Sequence, residues 1–246
     1  MAADSEEMKA WLRGLVAPRP GETFVDLGCG KGDDLNALAV AFPESLFIGL
    51  DQSEEWVRRA GEATPANATF RVADVAQRLP LDDASIDGLL SINLLECVAD
   101  QAGLISECSR VLRPGGQIVM AHYDWDTQTF DGPDRAFVRR IVHAFSDWQQ
   151  AWMPAIDPWT GRRLHRLFAA DGRFQGEVFT RTLVSVDAPE SYGWRQAESF
   201  AGLVRRGLVP AEDYEAFMEF QRAAAEQGEF FYSVTMYAFV GQKAVG

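Results

Sequence analysis

The sequence predicts an α/β fold built on a doubly wound, mostly parallel sheet. One observation is the alternation of apolar, strand-like segments with helical patterns over the first half of the chain. A second is a glycine-rich turn, Gly28 to Gly32, placed directly after the first of these segments. A third is an acidic residue, Asp51, at the end of the second segment. Open sheets of this class bind ligands at the carboxyl ends of their strands, so the turn and the acid mark the expected site.

The elements of the first half follow in order. A leading helix is expected within residues 1–20, with Asp4 or Ser5 as its cap and prolines at its end. Helices between the strands are expected near 33–42, 53–63 and 99–112, and the last ends in an Arg-Pro-Gly-Gly turn. The strands are expected at 23–27, 45–50, 69–73, 86–92 and 116–121.

The second half is richer in aromatic residues and less regular. Helices are expected over 130–148 and 159–170, before a strand over 176–186. Two more helical patterns at 190–206 and 211–227 precede a last strand over 230–240. Most of these aromatics fit core packing better than a binding surface, while those near helix ends are possible pocket residues.

The spacing of the glycines narrows the ligand. A dinucleotide fingerprint has a third glycine where this chain has Asp33, and Asp34 follows it. Two carboxylates at a helix start complement the helix dipole and repel a pyrophosphate. Asp51 is placed to accept the hydroxyls of a ribose. The pattern therefore favours a cationic, adenosine-containing ligand, while a nicotinamide-dependent oxidoreductase is the less favoured alternative.

Six segments in order carry a resemblance to class I S-adenosylmethionine (SAM) dependent methyltransferases of the small-molecule type. The first half resembles the ubiquinone and menaquinone biosynthesis enzymes. The resemblance implies a seven-stranded Rossmann-like methyltransferase fold whose last strand is antiparallel and lies beside the fifth. It also implies SAM as cofactor and S-adenosylhomocysteine as product. The segments are Asp26–Gly32, Gly49–Ser53, Ala73–Val75, Leu79–Leu81, Ser85–Asp87 and Arg110–Gly116.

One domain over residues 1–246 is expected, because no repeat or long flexible linker divides the chain. Within it, 1–20 is the leading helix and 21–122 the SAM-binding core. The segments 123–171 and 187–228 are expected to form helical lids that wall the substrate pocket.

The resemblance also assigns cofactor contacts to individual residues. The first acid and the glycines would cradle the methionine and ribose, Asp51 would bind the ribose hydroxyls, and Asp74 would accept from the adenine amino group. Asp74 could instead cap a turn, and Asp33 could be a solvated residue at a helix start. The full set is Asp26, Gly28, Gly30, Gly32, Asp33, Asp51, Gln52, Ala73, Asp74, Val75, Asn93 and Leu94.

A general base is sought where the chain leaves the fifth strand, at His122, Tyr123 and Asp124. His122 leads because histidine titrates near neutral pH, although such residues also serve to satisfy backbone groups. Glu96 is read either as a holder of a cationic substrate or as a surface residue or cap. Arg162 and its basic neighbours could grip a substrate carboxylate, but ion pairs with Asp124, Asp126 or Asp157 that fasten the lid are favoured.

Composition limits the partners. A net charge of −13 argues against a nucleic-acid partner. No run reaches bilayer length, the first residues do not read as a signal peptide, and three unpaired cysteines suit a reducing compartment, so a cytoplasmic location is expected. The three histidines have no metal-ligand spacing. Both a monomer and a homodimer fit the sequence.

The expected function is methyl transfer from SAM to a small, partly apolar acceptor by in-line displacement. The acidic balance tilts the acceptor towards an amine, and a carbon acceptor is also compatible, so nitrogen, oxygen and carbon all stay open as the attacked atom. The main alternative is a SAM-binding protein of the same fold that does not methylate, such as a cyclase or a regulatory module.

Overall fold

The computed structural model describes residues 2–245. The helices are α1 (Ala3–Arg13), α2 (Asp33–Ala41), α3 (Glu54–Ala60), α4 (Gln101–Val111), α5 (Arg135–Ser146), α6 (Thr160–Asp171), α7 (Tyr192–Ser199), α8 (Ala201–Arg205) and α9 (Ala211–Glu226). The strands are β1 (Thr23–Leu27), β2 (Leu46–Asp51), β3 (Ala68–Val72), β4 (Ile86–Ile92), β5 (Leu112–Phe130), β6 (Phe174–Ser185) and β7 (Tyr232–Lys243).

These strands form one seven-stranded sheet in the order β3-β2-β1-β4-β5-β7-β6. Neighbouring strands from β3 to β5 pair in parallel, whereas β7 runs antiparallel to both β5 and β6. The order reverses between β1 and β4, which is where an open sheet of this type leaves a crevice at the carboxyl ends of its strands. The predicted fold class, with a last antiparallel strand inserted beside the fifth, is confirmed.

The fifth strand is much longer than predicted. β5 continues through His122 to Phe130 because its second half pairs with β7, with His122 opposite Tyr237 and Asp124 opposite Thr235. The expectation that the chain leaves the sheet at residue 122 is therefore wrong. Apolar and polar residues are mixed in this segment, and only the pairing with a strand more than a hundred residues away fixes its conformation. Helix α5 consequently begins at Arg135, and not at Phe130.

The amino-terminal helix also departs from the prediction. It runs from Ala3 to Arg13 with Ala2 at its cap position, so neither Asp4 nor Ser5 caps it. Asp4 instead accepts hydrogen bonds from the backbone N–H of Tyr192, at 3.0 Å, and from the Ser185 hydroxyl. One half-buried carboxylate thus connects α1, the end of β6 and the start of α7, a contact that no local pattern predicts.

Helices cover both faces of the sheet. On one face Phe200, Phe217 and Tyr232 are fully buried in a cluster that includes residues of α1, α5 and the carboxyl half of β5. On the other face Leu27, Ile105 and Phe168 lie in a cluster with the helices α4 and α6. Burial of side chains of this size, each contributing about 1.5–3 kcal/mol, holds the carboxyl edge of the sheet in a fixed shape. Within residues 2–245, no helix is long and apolar enough to cross a membrane.

Candidate active site

A cleft of about 600 Å³ lies at the carboxyl ends of β1, β2 and β4. Its position at the reversal of strand order is where a doubly wound sheet binds its ligand. It is lined by Gly28, Gly30, Asp51, Gln52, Ser53, Trp56, Asp74, Val75, Ala76, Asn93, Leu94, Cys97, Val98, Trp152 and Pro154. Eight of the twelve predicted cofactor residues are therefore brought together in one cavity.

Asp51 ends β2 and organises the centre of the cleft. Its Oδ2 accepts the backbone N–H of Gly30 at 2.9 Å, and its Oδ1 accepts the backbone N–H of Ser53, also at 2.9 Å. Each carboxylate oxygen has a second lone pair that these bonds leave available. The side chain is thus held in one orientation by the glycine turn and by the start of α3, with two acceptor sites towards the cleft.

The glycine turn owes its shape to left-handed backbone conformations. Gly28 has φ +72°, and a Cβ there would lie 3.0 Å from the side chain of Leu94. Gly30 has φ +51°, and a Cβ there would meet no protein atom within 4 Å. Gly28 is therefore required by both conformation and space, whereas Gly30 is required by conformation and leaves the backbone open to a ligand.

The far end of the cleft is formed by Asp74, Val75 and Gln52, together with Trp56 from α3. Asp74 Oδ1 accepts the N–H of Ala76 at 3.0 Å, so the turn role considered for this residue is present. One carboxylate oxygen can fill that role while the other takes a ligand donor. Trp56 is 37% exposed, and the guanidinium of Arg59 lies 5.1 Å from its ring centroid.

Four predicted cofactor residues do not line the cleft. Asp26 is buried in β1, and burial, followed by the nearby carboxylates of Asp34 and Asp51, raises its pKa well above the usual range. Asp33 faces α1, with its carboxylate 3.7 Å from Lys9 Nζ. Gly32 caps α2 with φ +75°, and Ala73 follows β3. Their assignment to the cofactor stays a prediction.

Gly32 has a packing requirement of its own. A Cβ at this position would lie 2.5 Å from the Phe70 ring, a distance that side chains do not tolerate. This glycine therefore lets α2 approach β3, and its conformation is one that glycine adopts at little cost.

Beside the cleft, Glu96 from the turn after β4 and His122 from β5 form a buried polar pair. Glu96 Oε2 accepts the indole N–H of Trp125 at 2.6 Å and lies 3.8 Å from His122 Nε2. His122 Nδ1 lies 2.7 Å from the carbonyl oxygen of Tyr123. Because a carbonyl only accepts, Nδ1 carries a proton and Nε2 faces the carboxylate. The expectation that Glu96 is a surface residue is wrong, since its side chain is only 10% exposed.

Burial raises the pKa of the Glu96 carboxyl. The nearby His122 and the hydrogen bond from Trp125 partly oppose this rise. His122 is fully buried, and its Nε2 has no hydrogen-bond partner among the described residues. Glu96 is the more exposed member of the pair and borders the cleft residue Cys97 in the chain.

The other two residues proposed as bases have structural partners. Asp124 is fully buried and paired with Arg162, whose Nη2 donates to Oδ1 at 2.5 Å. Tyr123 is buried between Trp125 and Tyr192, and burial raises the pKa of its hydroxyl well above the usual range. Neither side chain lines the cleft. A catalytic role for His122, Tyr123 or Asp124 stays a prediction.

The predicted lid contacts are present. Arg162 binds Asp124, and Arg163 Nη1 lies 2.5 Å from Asp157 Oδ2. Asp126 accepts the indole N–H of Trp159, the residue that precedes α6. These contacts tie the start of α6 to β5 and to the segment before α6, and they pair Arg162 and Arg163 with carboxylates.

Sequence reasoning missed several cleft residues. Trp152 and Pro154 reach the cleft from the irregular segment between α5 and α6, and Trp152 is 60% exposed. Cys97 and Val98 come from the turn after β4. The signal available for Trp152 and Pro154 is a tryptophan two residues before a proline, in a segment without helical or strand periodicity. Cys97 is not a nucleophile here, because burial raises its pKa to about 12.

A second group of depressions on the described surface is lined by other residues. One of about 430 Å³ lies between the end of β5 and α5 and is bounded by Asp126, Arg135 and His143. In the part of the chain that the structure describes, no group of three or more histidine, cysteine, aspartate or glutamate residues could hold a metal ion.

The cleft fits the chemistry of SAM. Its open backbone at Gly30 admits a close ligand, and the acceptor sites of Asp51 suit a vicinal diol. Apolar Val75, Leu94 and Val98 suit an adenine ring and a methionine chain. Asp33 and Asp34 at the start of α2 are paired with Lys9 at 3.7 and 3.3 Å, so the helix start already has its anions. A pyrophosphate bound at this position would meet these carboxylates in place of a free helix N-terminus.

Comparison with known sequences agrees with this assignment. Residues 18–172 match the sequence model of a family described as "Methyltransferase domain". An uncharacterized 37.1 kDa protein in transposon TN4556 of Streptomyces fradiae is 36% identical over 95% of this chain and 66% of its own length. The 27-O-demethylrifamycin SV methyltransferase of Amycolatopsis mediterranei is 32% identical over 46% of this chain and 42% of its own length. The chain thus spans between two fifths and two thirds of these relatives.

Solved structures share the fold at low sequence identity. The [4+2]-cyclase SpnF matches with a TM-score of 0.60 and 17% identity, over 98% of this chain and 82% of the cyclase. Geranyl diphosphate C-methyltransferase from Streptomyces coelicolor, solved with Mg²⁺, geranyl diphosphate and S-adenosylhomocysteine, matches with a TM-score of 0.58 and 19% identity, over 98% and 79%. With the sheet order, the cleft and the family match over more than half of its length, the chain belongs to the class I SAM-dependent methyltransferase family.

Proposed function

We propose that this protein transfers a methyl group from SAM to a small-molecule acceptor. The observation that carries the proposal is the gathering of eight predicted cofactor residues around one cleft, with Asp51 fixed at its centre by two backbone donors. Family membership supports SAM as the cofactor. The individual contacts are inferred from the cleft.

Asp51 is proposed to bind the two ribose hydroxyls with the lone pairs that Gly30 and Ser53 leave available. Asp74 and Val75 are proposed to receive the adenine, and Asn93 and Leu94 to line the methionine portion. Bound SAM supplies an electrophilic methyl group on a sulfonium. What the chain contributes is position, since fixing two reactants in line is worth about 7–11 kcal/mol in well-oriented intramolecular reactions.

The acceptor is proposed to approach from the side of Trp152 and Pro154, which extend from the segment before α6 over the cleft. These side chains exclude water and present apolar surface to an organic substrate. Negative charge is already abundant around the sheet edge, so a neutral or cationic acceptor fits better than an anion. An amine is favoured over a carboxylate on this ground.

The Glu96–His122 pair is proposed to receive the proton that an amine or hydroxyl acceptor loses. Glu96 is the entry to the pair because its side chain is 10% exposed, whereas that of His122 is fully buried. The Trp125 indole fixes the carboxylate, and the Tyr123 carbonyl fixes the imidazole. Positioned acid–base groups of this kind typically contribute about 100- to 10,000-fold in rate.

Two experiments test the function. The first incubates the protein with methyl-labelled SAM and small-molecule extracts, and identifies by mass spectrometry the compounds that gain the label. We expect labelled product and an equal amount of S-adenosylhomocysteine, both strongly reduced with Asp51→Ala at SAM concentrations near the wild-type Kd. Absence of label in every extract, with SAM bound normally, would contradict the proposal.

The second experiment examines the proton route with the acceptor so identified. Glu96→Gln keeps the hydrogen bond from Trp125 but removes the acid, so we expect kcat to fall about 100-fold while SAM affinity stays unchanged. An unchanged kcat would contradict the proton route and would point to an acceptor that loses no proton on methylation, such as a thioether.

A SAM-binding protein that does not methylate is the second function considered, because a [4+2]-cyclase has the same fold. The two functions differ in one product. A methyltransferase releases one S-adenosylhomocysteine for each acceptor converted, whereas a cyclase that uses the same fold as a scaffold releases none.

A further inference from the structure

Strand β6 is an edge strand. It is last in the sheet order and pairs only with β7, so one side of its backbone has no strand neighbour in the described part of the chain. It is twelve residues long and pairs with β7 from Phe174 to Ser185 without a bulge. Eight of its residues are exposed, and all of Gln175–Glu177 and Phe179–Thr182 are among them.

This edge has few of the features that normally prevent pairing with another strand. Edge strands are usually short, interrupted by proline or a bulge, covered by a helix or loop, or protected by charged side chains. β6 contains no proline, and a large apolar side chain, Phe179, is 43% exposed at its middle. The nearest charges on its two sides differ in sign, Glu177 two residues before and Arg181 two residues after.

The symmetry of these charges identifies the partner. When two copies of β6 pair antiparallel about a two-fold axis at Phe179, each Glu177 lies directly opposite the Arg181 of the other copy. The two phenylalanines then face each other on the axis, where aromatic cross-strand pairs stabilise a sheet. We propose that the protein forms a homodimer through its β6 edges, with the two seven-stranded sheets joined into one.

Neighbouring registers do not have this complementarity. With the axis moved to Val178, Glu177 faces Phe179 and Arg181 faces Gln175. With the axis at Thr180, Arg181 faces Phe179 and Glu177 faces Leu183. Of these three registers, only the one centred on Phe179 forms two reciprocal ion pairs, and opposite charges directly across a strand pair stabilise it.

The side chains involved are available. Glu177 has no ion-pair partner within residues 2–245, and Arg181 has only Glu7, whose Oε2 lies 3.8 Å from the guanidinium. Helix α1 contacts the carboxyl-terminal half of β6, through Asp4 to Ser185 and Glu7 to Arg181. The two-fold axis places the second copy's α1 at the opposite end of the joined strands, so the two helices do not compete for the same space.

The first test measures the mass of the protein in solution by light scattering. Wild type is expected at twice the mass of one chain at micromolar concentrations. Glu177→Arg creates two like-charge contacts and should raise the dimer dissociation constant about 10-fold or more. The reversed pair E177R/R181E restores both contacts and should restore the dimer. Glu219→Arg, the same charge change at an exposed site on α9, should have no effect.

The second test reads the register directly. Facing Cα atoms in an antiparallel pair lie about 4.5–5.5 Å apart, within the range of a disulfide. Phe179→Cys should therefore form a covalent dimer on mild oxidation. Thr180→Cys on the same edge should not, because its two copies would be diagonal neighbours about 7–8 Å apart.

Wild-type protein serves as the control for the three native cysteines. A wild-type monomer, a dimer that survives Glu177→Arg, or equal cross-linking at both positions would overturn the proposal. None of these readouts depends on SAM or on an acceptor, so they are separate from the proposed function.

Discussion

Replacing Asp51 with alanine is expected to weaken SAM binding more than any other single change in the cleft. The carboxylate accepts one backbone N–H on each oxygen, from Gly30 and Ser53, both at 2.9 Å. Its other two lone pairs are the proposed ribose contacts. The substitution therefore removes two ligand contacts and also releases the turn that shapes the cleft.

The size of the effect follows from these contacts. Hydrogen bonds to a charged group contribute about 1.5–3 kcal/mol each, so the loss of two ribose contacts costs at least about 3 kcal/mol. That corresponds to binding weaker by roughly 150-fold or more. Asp51→Asn should be intermediate, because an amide has one acceptor oxygen and must direct its NH₂ group at one of the two backbone donors.

Isothermal titration with SAM and with S-adenosylhomocysteine measures the effect, with circular dichroism to verify folding. Asp82→Ala is the matched control, since this aspartate is exposed and outside the cleft. SAM affinity within a factor of about three of wild type in a folded Asp51→Ala protein would refute the assigned role, because such a change is below 1 kcal/mol.

Three further predictions concern the turn, the buried acid and the lid. Gly28→Ala should lower both stability, by about 1–2 kcal/mol, and SAM affinity, because φ is +72° and the new Cβ would lie 3.0 Å from Leu94; urea unfolding and titration measure the two effects. The pKa of Glu96 is raised by burial, so the folded state binds its proton more tightly than the unfolded state. The protonated carboxyl therefore stabilises the fold at pH values below its ordinary pKa of 4.5. This contribution is lost as the pH rises through the raised pKa of the folded state. Relative to wild type, Glu96→Gln should therefore become more stable as pH rises from 4 towards 8, as unfolding free energies at several pH values would reveal. Arg162→Ala should destabilise by about 3–5 kcal/mol, because it leaves the buried Asp124 without its charge partner, and Asp124→Asn in the same chain should recover much of the loss in thermal denaturation.

Each of these predictions has a control and a contrary outcome. Gly61→Ala should be neutral or stabilising, since φ there is −74° and no atom lies within 4 Å of the new Cβ; equal losses at both glycines would contradict the conformational argument. Parallel pH profiles for wild type and Glu96→Gln would show that Glu96 does not change its proton affinity on folding. Arg163→Ala should cost less than Arg162→Ala, because Asp157 is less buried than Asp124, and the reverse order would count against the lid contact.

The core of the fold and the cofactor side of the cleft were predictable because their signals are local. A strand, a glycine turn and a helix occupy consecutive residues from Thr23 to Ala41, and parallel topology brings their carboxyl ends to the same edge as Asp51 and Asp74. The backbone conformation of Gly28 and Gly30 is also a local property. Eight cleft residues follow from such patterns.

The acceptor side was less predictable because long-range contacts determine it. The path of His122 and Asp124 depends on pairing with β7, so a segment expected to be a loop is a buried strand. Burial of Glu96 depends on Trp125, and the position of Trp152 depends on the irregular segment before α6. None of these contacts has a sequence period, so local patterns do not predict the burial of Glu96 and His122.

If the cleft holds SAM for methyl transfer, the two products must form in a fixed ratio, and this ratio can be measured directly. With the acceptor identified by labelling, methylated product and S-adenosylhomocysteine are measured in the same reaction by mass spectrometry. We expect one S-adenosylhomocysteine for every methyl group gained, with both products strongly reduced in Asp51→Ala. Conversion of the acceptor without S-adenosylhomocysteine would contradict this expectation and would favour a scaffold role for SAM.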